Sequence, residues 1–170
     1  MDTDNPRAHW RFRRVALTFA RMKIRKARSA DAAVIGAFNR NLAWETEKLR
    51  LNSAIVGRGV RALLKDAGKG TYFVAEQSGA VVGQLLITYE WSDWRNSNFW
   101  WIQSVYVAAE FRSSGVFRAL FSHVQKLARS RRGVCGLRLY VEKNNRRAQQ
   151  AYDRLGMKPT HYKIYETSWR

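Results

Sequence analysis

The chain is poor in three things: cysteine, acidic residues and long apolar runs. One cysteine, Cys135, in 170 residues excludes an intramolecular disulfide and a zinc cluster built on cysteines. It fits a reducing compartment, so a cytoplasmic location is expected. The apolar stretches are short, far below the roughly 20 residues of a membrane helix, and no membrane partner is expected. What is present is the material of a core. Hydrophobic residues make up 46% and aromatics 13%, which excludes an intrinsically disordered chain. The length suits one domain.

The scarcity of acid leaves 31 Lys and Arg against 13 Asp and Glu, a net charge of +18. Such a balance fits a polyanionic partner or a solvated basic surface. Its distribution is uneven. Residues 1–28 carry net +7 and residues 111–147 net +9, leaving +2 for everything else. Residues 1–21 read as a basic N-terminal extension, disordered or loosely helical, ahead of a domain over 22–170. Arginines interrupt its apolar positions throughout, unlike a signal peptide. The internal basic segment needs a separate reason.

From Met22 the periodicity predicts a strand over 22–27, helices over 31–51 and 52–65, and strands over 71–76 and 80–90 joined by a Gln77-Ser78-Gly79 turn. A loop over 93–98, a strand over 99–108, a helix over 115–130, a strand over 135–142, a helix over 145–155 and a last strand over 162–167 follow. The order β-α-α-β-β-β-α-β-α-β describes an α/β fold with a mixed sheet. Strands 99–108 and 135–142 flank a crossover helix and should be parallel.

Two stretches carry chemistry. In Val105 to Leu120 a strand ends, a polar loop with Gly115 follows, and a helix begins. The first N–H groups of such a helix lack intrahelical partners and form an anion pocket. Arg112 and Arg118 add positive charge, and no Gly-Lys-Ser/Thr makes it a Walker loop. The competing reading is an ordinary strand-to-helix turn. In the second stretch Asn145, Ala148 and Tyr152 share one helix face. By itself that is an N-capping amide and a half-buried phenol.

Together the two stretches resemble the GNAT superfamily of N-acetyltransferases over about residues 22–167. The first signature, Q/R-x-x-G-x-G/A, reads Arg112-Ser113-Ser114-Gly115-Val116-Phe117. The second reads Asn145, Ala148, Tyr152 and Gly156-Met157. The resemblance implies acetyl-CoA as acetyl donor, no metal, and direct transfer to a primary amine. It implies that the turn from Arg112 through Ser113, Ser114, Gly115, Val116 and Phe117 to Arg118 binds pyrophosphate. Backbone groups of Val105, Tyr106 and Val107 would pair with the pantetheine arm, Asn145 would hydrogen-bond it, and Tyr152 would protonate the leaving thiolate. The phosphates of coenzyme A would then account for the internal basic segment.

The chain departs from the pattern at two places. Phe117 stands where the family has Gly or Ala, and is expected to turn into the core. Trp101 and Tyr140 stand where family members often place the general base, so Glu90, through a water, is the expected substitute. Tryptophans with interleaved carboxylates, Glu45, Glu47, Glu90 and Asp93, suit a cationic amine. On that ground Trp44, Glu47, Trp91, Trp101 and Tyr140 are the expected acceptor-side residues, with core tryptophans as the competing reading. The expected acceptor is a small-molecule or peptide amine; the resemblance allows a homodimer, since related proteins often pair, and the sequence does not fix the oligomeric state. The missing base positions leave an acyl-CoA-binding regulatory module without turnover as the alternative. Nucleic-acid binding through the basic arm ranks below both.

Overall fold

The computed structural model describes residues 22–169; the expectation for 1–21 lies outside them. Strand β1 is Lys23–Lys26, followed by helices α1, Ala32–Glu47, and α2, Ser53–Lys65. Strands β2, Thr71–Gln77, β3, Ala80–Ser92, and β4, Ser97–Val107, come next. Helix α3, Val116–Ser130, strand β5, Val134–Arg138, and helix α4, Arg146–Arg154, complete the order. No helix among the described residues is long and apolar enough to cross a membrane.

Local chemistry sets the helix limits. Lys48 takes the left-handed region at φ 57 and stops α1 four residues short of the expected end. Asn52 then caps α2, its Oδ1 accepting from the N–H groups of Ala54 and Ile55 at 3.0 and 3.1 Å. The two helices therefore meet through a short break.

The five strands form one sheet in the order β1-β2-β3-β4-β5. The first three neighbouring pairs are antiparallel and β4–β5 is parallel, as the crossover requires. Apolar side chains divide between the two faces. Ile35, Val60, Tyr72, Val74 and Leu86 form the core under α1 and α2. A larger set, including Phe73, Leu85, Ile87, Trp100, Ile102, Leu120 and Phe121, packs under α3. Gly83 allows the first turn of α3 to press on the sheet, since a Cβ there would lie 2.8 Å from Val116 Cγ1. At the far edge Arg25 ties β1 to its surroundings. Its guanidinium meets Asp31 at 2.7 and 3.0 Å and Glu76 at 2.6 Å.

Two features of β4 matter for function. Its register with β3 shifts between the pairs Gln84↔Tyr106 and Leu86↔Gln103, leaving one surplus residue on β4. Ser104 lies in this bulge at φ 46. The β4–β5 ladder, meanwhile, runs only from Asn98↔Val134 to Trp101↔Arg138. Beyond that point β4 continues to Val107 without β5, and the two strands part.

The sheet corrects three expectations. The loop over 93–98 is shorter, because β3 and β4 extend toward each other around a single turn at Asp93–Arg95. The strand expected over 135–142 ends at Arg138, where its partner diverges. The last strand, expected over 162–167, does not form, and that segment carries no regular structure. Alternation in sequence describes the two faces a strand would have, and does not supply the edge it must pair with.

Candidate active site

The site begins where the sheet opens. Ala108 N–H donates to Val82 O at 3.0 Å. Antiparallel alternation then turns the backbone of Tyr106 toward Gln84 on β3 and that of Val105 and Val107 toward the open side. Of the three residues expected along a pantetheine arm, two thus present free-edge backbone. Val107 O already accepts from Arg112 Nε at 3.0 Å.

At the end of this edge lies the turn into α3. Ser113 at φ 65 and Gly115 at φ 88 bend the chain, and a Cβ on Gly115 would meet nothing within 4 Å. Ala119 N–H reaches back to Gly115 O at 3.0 Å. The N–H groups of Val116, Phe117 and Arg118 precede that first helical bond, and no side chain caps them. They converge, with the positive end of the helix dipole, on open space. Ser114 Oγ turns inward to Phe111 O at 2.6 Å. Arg147, on the first turn of α4, reaches Ser113 Oγ at 3.3 Å and brings a guanidinium to the turn, while Arg118 is exposed on the first turn of α3.

Arg112 is committed elsewhere. Its Nη2 pairs with Glu45 Oε2 at 2.6 Å, and Tyr106 Oη donates to Glu45 Oε1 at 2.8 Å. Glu45 thereby latches α1 to both β4 and the anion turn. Burial, then the adjacent Glu45 carboxylate, pushes the Tyr106 hydroxyl above its ordinary range. Sequence reasoning places Glu45 among acceptor-side carboxylates. Its partner lies 67 residues away, a pairing that no local pattern announces.

On the α4 side Asn145 caps the helix, its Oδ1 accepting from Ala148 N–H at 3.1 Å, so only its amide NH2 is left for another partner. Tyr152 is half-buried edge-on to Phe117, ring centres 5.7 Å apart. Phe117 packs against the core under α3 and leaves the anion turn clear. The Tyr152 hydroxyl has no hydrogen-bond partner among the described residues, and burial raises it above the ordinary phenol value.

Across the opening, on the face covered by α1 and α2, a polar lane runs along β3 and β4. Gln103 Nε2 donates to Thr88 Oγ1 at 2.6 Å. Trp101 Nε1 donates to Glu90 Oε2, and Arg138 Nη1 pairs with Glu90 Oε1 at 2.5 Å. Tyr140 lies against Trp101, ring centres 5.8 Å apart. Glu90, Trp101 and Tyr140 are thus brought together, with Arg138 as a member that sequence reasoning missed. Trp91 is not with them. It follows Glu90 and so points to the opposite face, 59% exposed. Trp44 stands apart at the end of α1, its ring already faced by Arg50 and Lys48 at 5.1 and 5.8 Å. Glu47 lines a groove of about 500 Å³ between α1 and α2 that reaches Tyr72 and Ser104. Trp100 is a core residue. No cluster of metal-ligating side chains occurs among the described residues.

Comparison with known proteins agrees with this geometry. Residues 37–157 match the model of the acetyltransferase (GNAT) family. A structure from Clostridium difficile described as "a possible acetyltransferase" is 46% identical, covers 86% of this chain and 97% of its own, and superposes with a TM-score of 0.82. An aminoglycoside N-acetyltransferase in complex with CoA shares the fold at 17% identity, with 89% and 97% coverage and a TM-score of 0.73. A ribosomal-protein-alanine N-acetyltransferase from Brucella melitensis shares it at 15% identity, with 88% and 100% coverage and a TM-score of 0.71. A search of curated proteins finds no match. With more than half of its length matched by that family model and a bent, half-open sheet edge leading into an uncapped helix, the chain belongs to the GNAT acetyltransferase family.

Proposed function

We propose that the protein is an acetyl-CoA-dependent N-acetyltransferase acting on a primary amine, by direct attack. The observation that carries this reading is the end of the β4–β5 ladder at Trp101↔Arg138, six residues before β4 itself ends. The exposed edge leads directly to the uncapped start of α3. The residues present fit the donor. The N–H groups of Val116, Phe117 and Arg118 would hold its diphosphate, with Arg118 and Arg147 neutralising charge. Backbone groups of Val105 and Val107 would pair with its amide-bearing arm, and the amide NH2 of Asn145 would add a donor from the facing wall. When bound, acetyl-CoA supplies an activated acetyl thioester.

The chain's own groups divide the remaining work. A free-edge N–H at the bulge polarises a carbonyl placed there. Tyr152 keeps its proton at neutral pH and can pass it to a departing thiolate, whose conjugate acid is near 8.5. An amine with a pKa near 10 must shed a proton before attack. Glu90 is the carboxylate on the lane formed by Trp101, Gln103 and Thr88. Each of its oxygens carries one donor, and a carboxylate has about four acceptor sites, so room remains for a water that relays that proton. Trp101 and Tyr140 offer aromatic faces to a cationic acceptor.

The experiment is a thiol-release screen of the full chain with acetyl-CoA against a library of small amines and peptide N-termini, beside calorimetric titration with CoA. CoA binding with acceptor-dependent thiol release is expected. CoA binding without release from any amine would favour a binding module instead, and absence of CoA binding would overturn the reading.

A further inference from the structure

We infer, resting on the acyl transfer proposed above, that Gln84 is a positioning residue: its buried amide clamps the carbonyl of Ser104 in the β4 bulge and so aims the Val105 N–H at the acyl carbonyl of the donor.

The peptide that needs holding is the one at the bulge. Ser104 takes φ 46, a left-handed conformation that serine adopts at a cost. Around it the β3–β4 ladder steps from Gln84↔Tyr106 to Leu86↔Gln103. A bulged residue leaves the regular ladder, so its carbonyl needs another donor. Gln84 supplies one, with Nε2 donating to Ser104 O at 3.2 Å. No peptide among the described residues is cis, and in a trans peptide the N–H points opposite to the C=O. Holding Ser104 O toward Gln84 therefore sends the Val105 N–H away from β3, out at the open edge. Direction matters there, because a hydrogen bond weakens steeply as its donor swings off line, and an oxyanion donor works only when it is fixed in advance.

Gln84 is itself pinned. It is 0% exposed. Nε2 also donates to Asn39 Oδ1 at 2.6 Å, and Asn39 Nδ2 donates to Tyr72 Oη at 3.0 Å. Helix α1, through Asn39, and strand β2, through Tyr72, thus hold the amide that holds β4. A backbone carbonyl can only accept, so Ser104 O decides which end of the Gln84 amide faces it. The other end, Oε1, is buried with no hydrogen-bond partner among the described residues. A buried oxygen left without a partner destabilises a fold. Leucine or methionine would fill similar space without that penalty, so packing alone does not favour glutamine here. What those side chains lack is the donor to Ser104 O.

The test reads the acyl carbonyl directly. Infrared difference spectra of bound acetyl-CoA, isotope-labelled at the acetyl carbonyl, are compared for the full chain, Gln84→Met and Gln84→Leu, beside calorimetric titration with acetyl-CoA and thermal melts. Ile35→Val, in the buried core under α1 and α2, is the stability control. The unmodified chain and Ile35→Val should lower the carbonyl band from its position in free acetyl-CoA. Both Gln84 variants should lose most of that shift while still binding acetyl-CoA. In the unmodified chain the Gln84 NH2 protons should exchange with deuterium more slowly than those of exposed Gln150; equal rates would overturn the clamp without any variant. Absence of acetyl-CoA binding by the unmodified chain would remove the proposed function itself. Binding with an unmoved band, or the same shift in the Gln84 variants as in the parent, would overturn the role of Gln84 and leave that function standing. Loss of acetyl-CoA binding by folded Gln84 variants, or an equal loss of shift in Ile35→Val, would overturn it as well, by making Gln84 a general support of the site.

Discussion

Replacing Gly115 with alanine separates donor binding from folding. Gly115 sits at φ 88, and the new Cβ meets nothing within 4 Å. The cost to the fold is therefore conformational, about 1–2 kcal/mol for a side chain in the left-handed region. At this chain length each kcal/mol lowers Tm by about 2–4 °C. The cost to binding is separate. The methyl group narrows the space before the N–H groups of Val116, Phe117 and Arg118. Hydrogen bonds to a charged group contribute about 1.5–3 kcal/mol each. Displacing a phosphate from two of them at the lower figure weakens CoA binding by about 100-fold. The structure supplies a matched control. Gly79, in the turn between β2 and β3, has φ 80, and a Cβ added there would also meet nothing within 4 Å. Gly79→Ala should lose a similar amount of Tm and bind CoA as the parent does. Thermal melts and calorimetric titration of the three proteins decide the matter. Equal CoA affinity in both variants would mean that the turn into α3 does not hold the diphosphate.

Tyr152→Phe should lower kcat by about 100-fold or more, as loss of a general acid does, with CoA affinity nearly unchanged; an unaltered kcat would remove Tyr152 from catalysis. Because burial raises this phenol above its unfolded value, its contribution to stability is complete below pH 10 or so and declines as pH rises beyond. Melts of the Phe variant should lack that share of the alkaline decline. Asp31 behaves in the opposite sense. Its hydrogen bond with Arg25, and then the Arg28 N–H, hold the carboxyl below the usual range. That stability is present above about pH 4 and lost as acid protonates the folded form. Asp31→Ala should cost about 3 kcal/mol at neutral pH, the scale of breaking one side of a buried pair, and the deficit should shrink in acid. A denaturant series at pH 7 and pH 3 measures both.

Much of this architecture was legible because the strongest signals are local. The apolar run within Thr71–Glu76, the Ser78-Gly79 turn and the helical spacing over 116–130 each need only neighbouring residues. The polar turn with Gly115 was legible for the same reason. What escaped depends on partners distant in sequence. The alternation of Leu139 to Glu142 continues past the point where β4 diverges, so the sequence overstates the length of that strand. The segment over 162–167 likewise has the composition of a strand but pairs with no neighbour among the described residues. Ser104 gives no sign of its bulge, since serine is an ordinary strand residue. Glu45 and Arg138 carry charges whose partners, Arg112 and Glu90, are fixed only by folding. Trp91 and Trp101 look alike in sequence, and only the phase of their strands sends them to opposite faces.

The surplus residue at Ser104 does more than open the strand. It exchanges odd for even along β4. Before it, Trp100 and Ile102 enter the larger core. After it, Val105 and Val107 pack there, while Tyr106 turns to Phe38 and Glu45 beneath α1. One strand is thus written in two reading frames, and a substitution tolerated at an odd position on one side of the junction is forbidden at an odd position on the other. Deleting that single serine would leave Trp100, Ile102, Val105 and Val107 on one face in plain alternation, whereas keeping it and flattening the bulge would drive a phenol into the aliphatic interior and carry two valines out beneath α1.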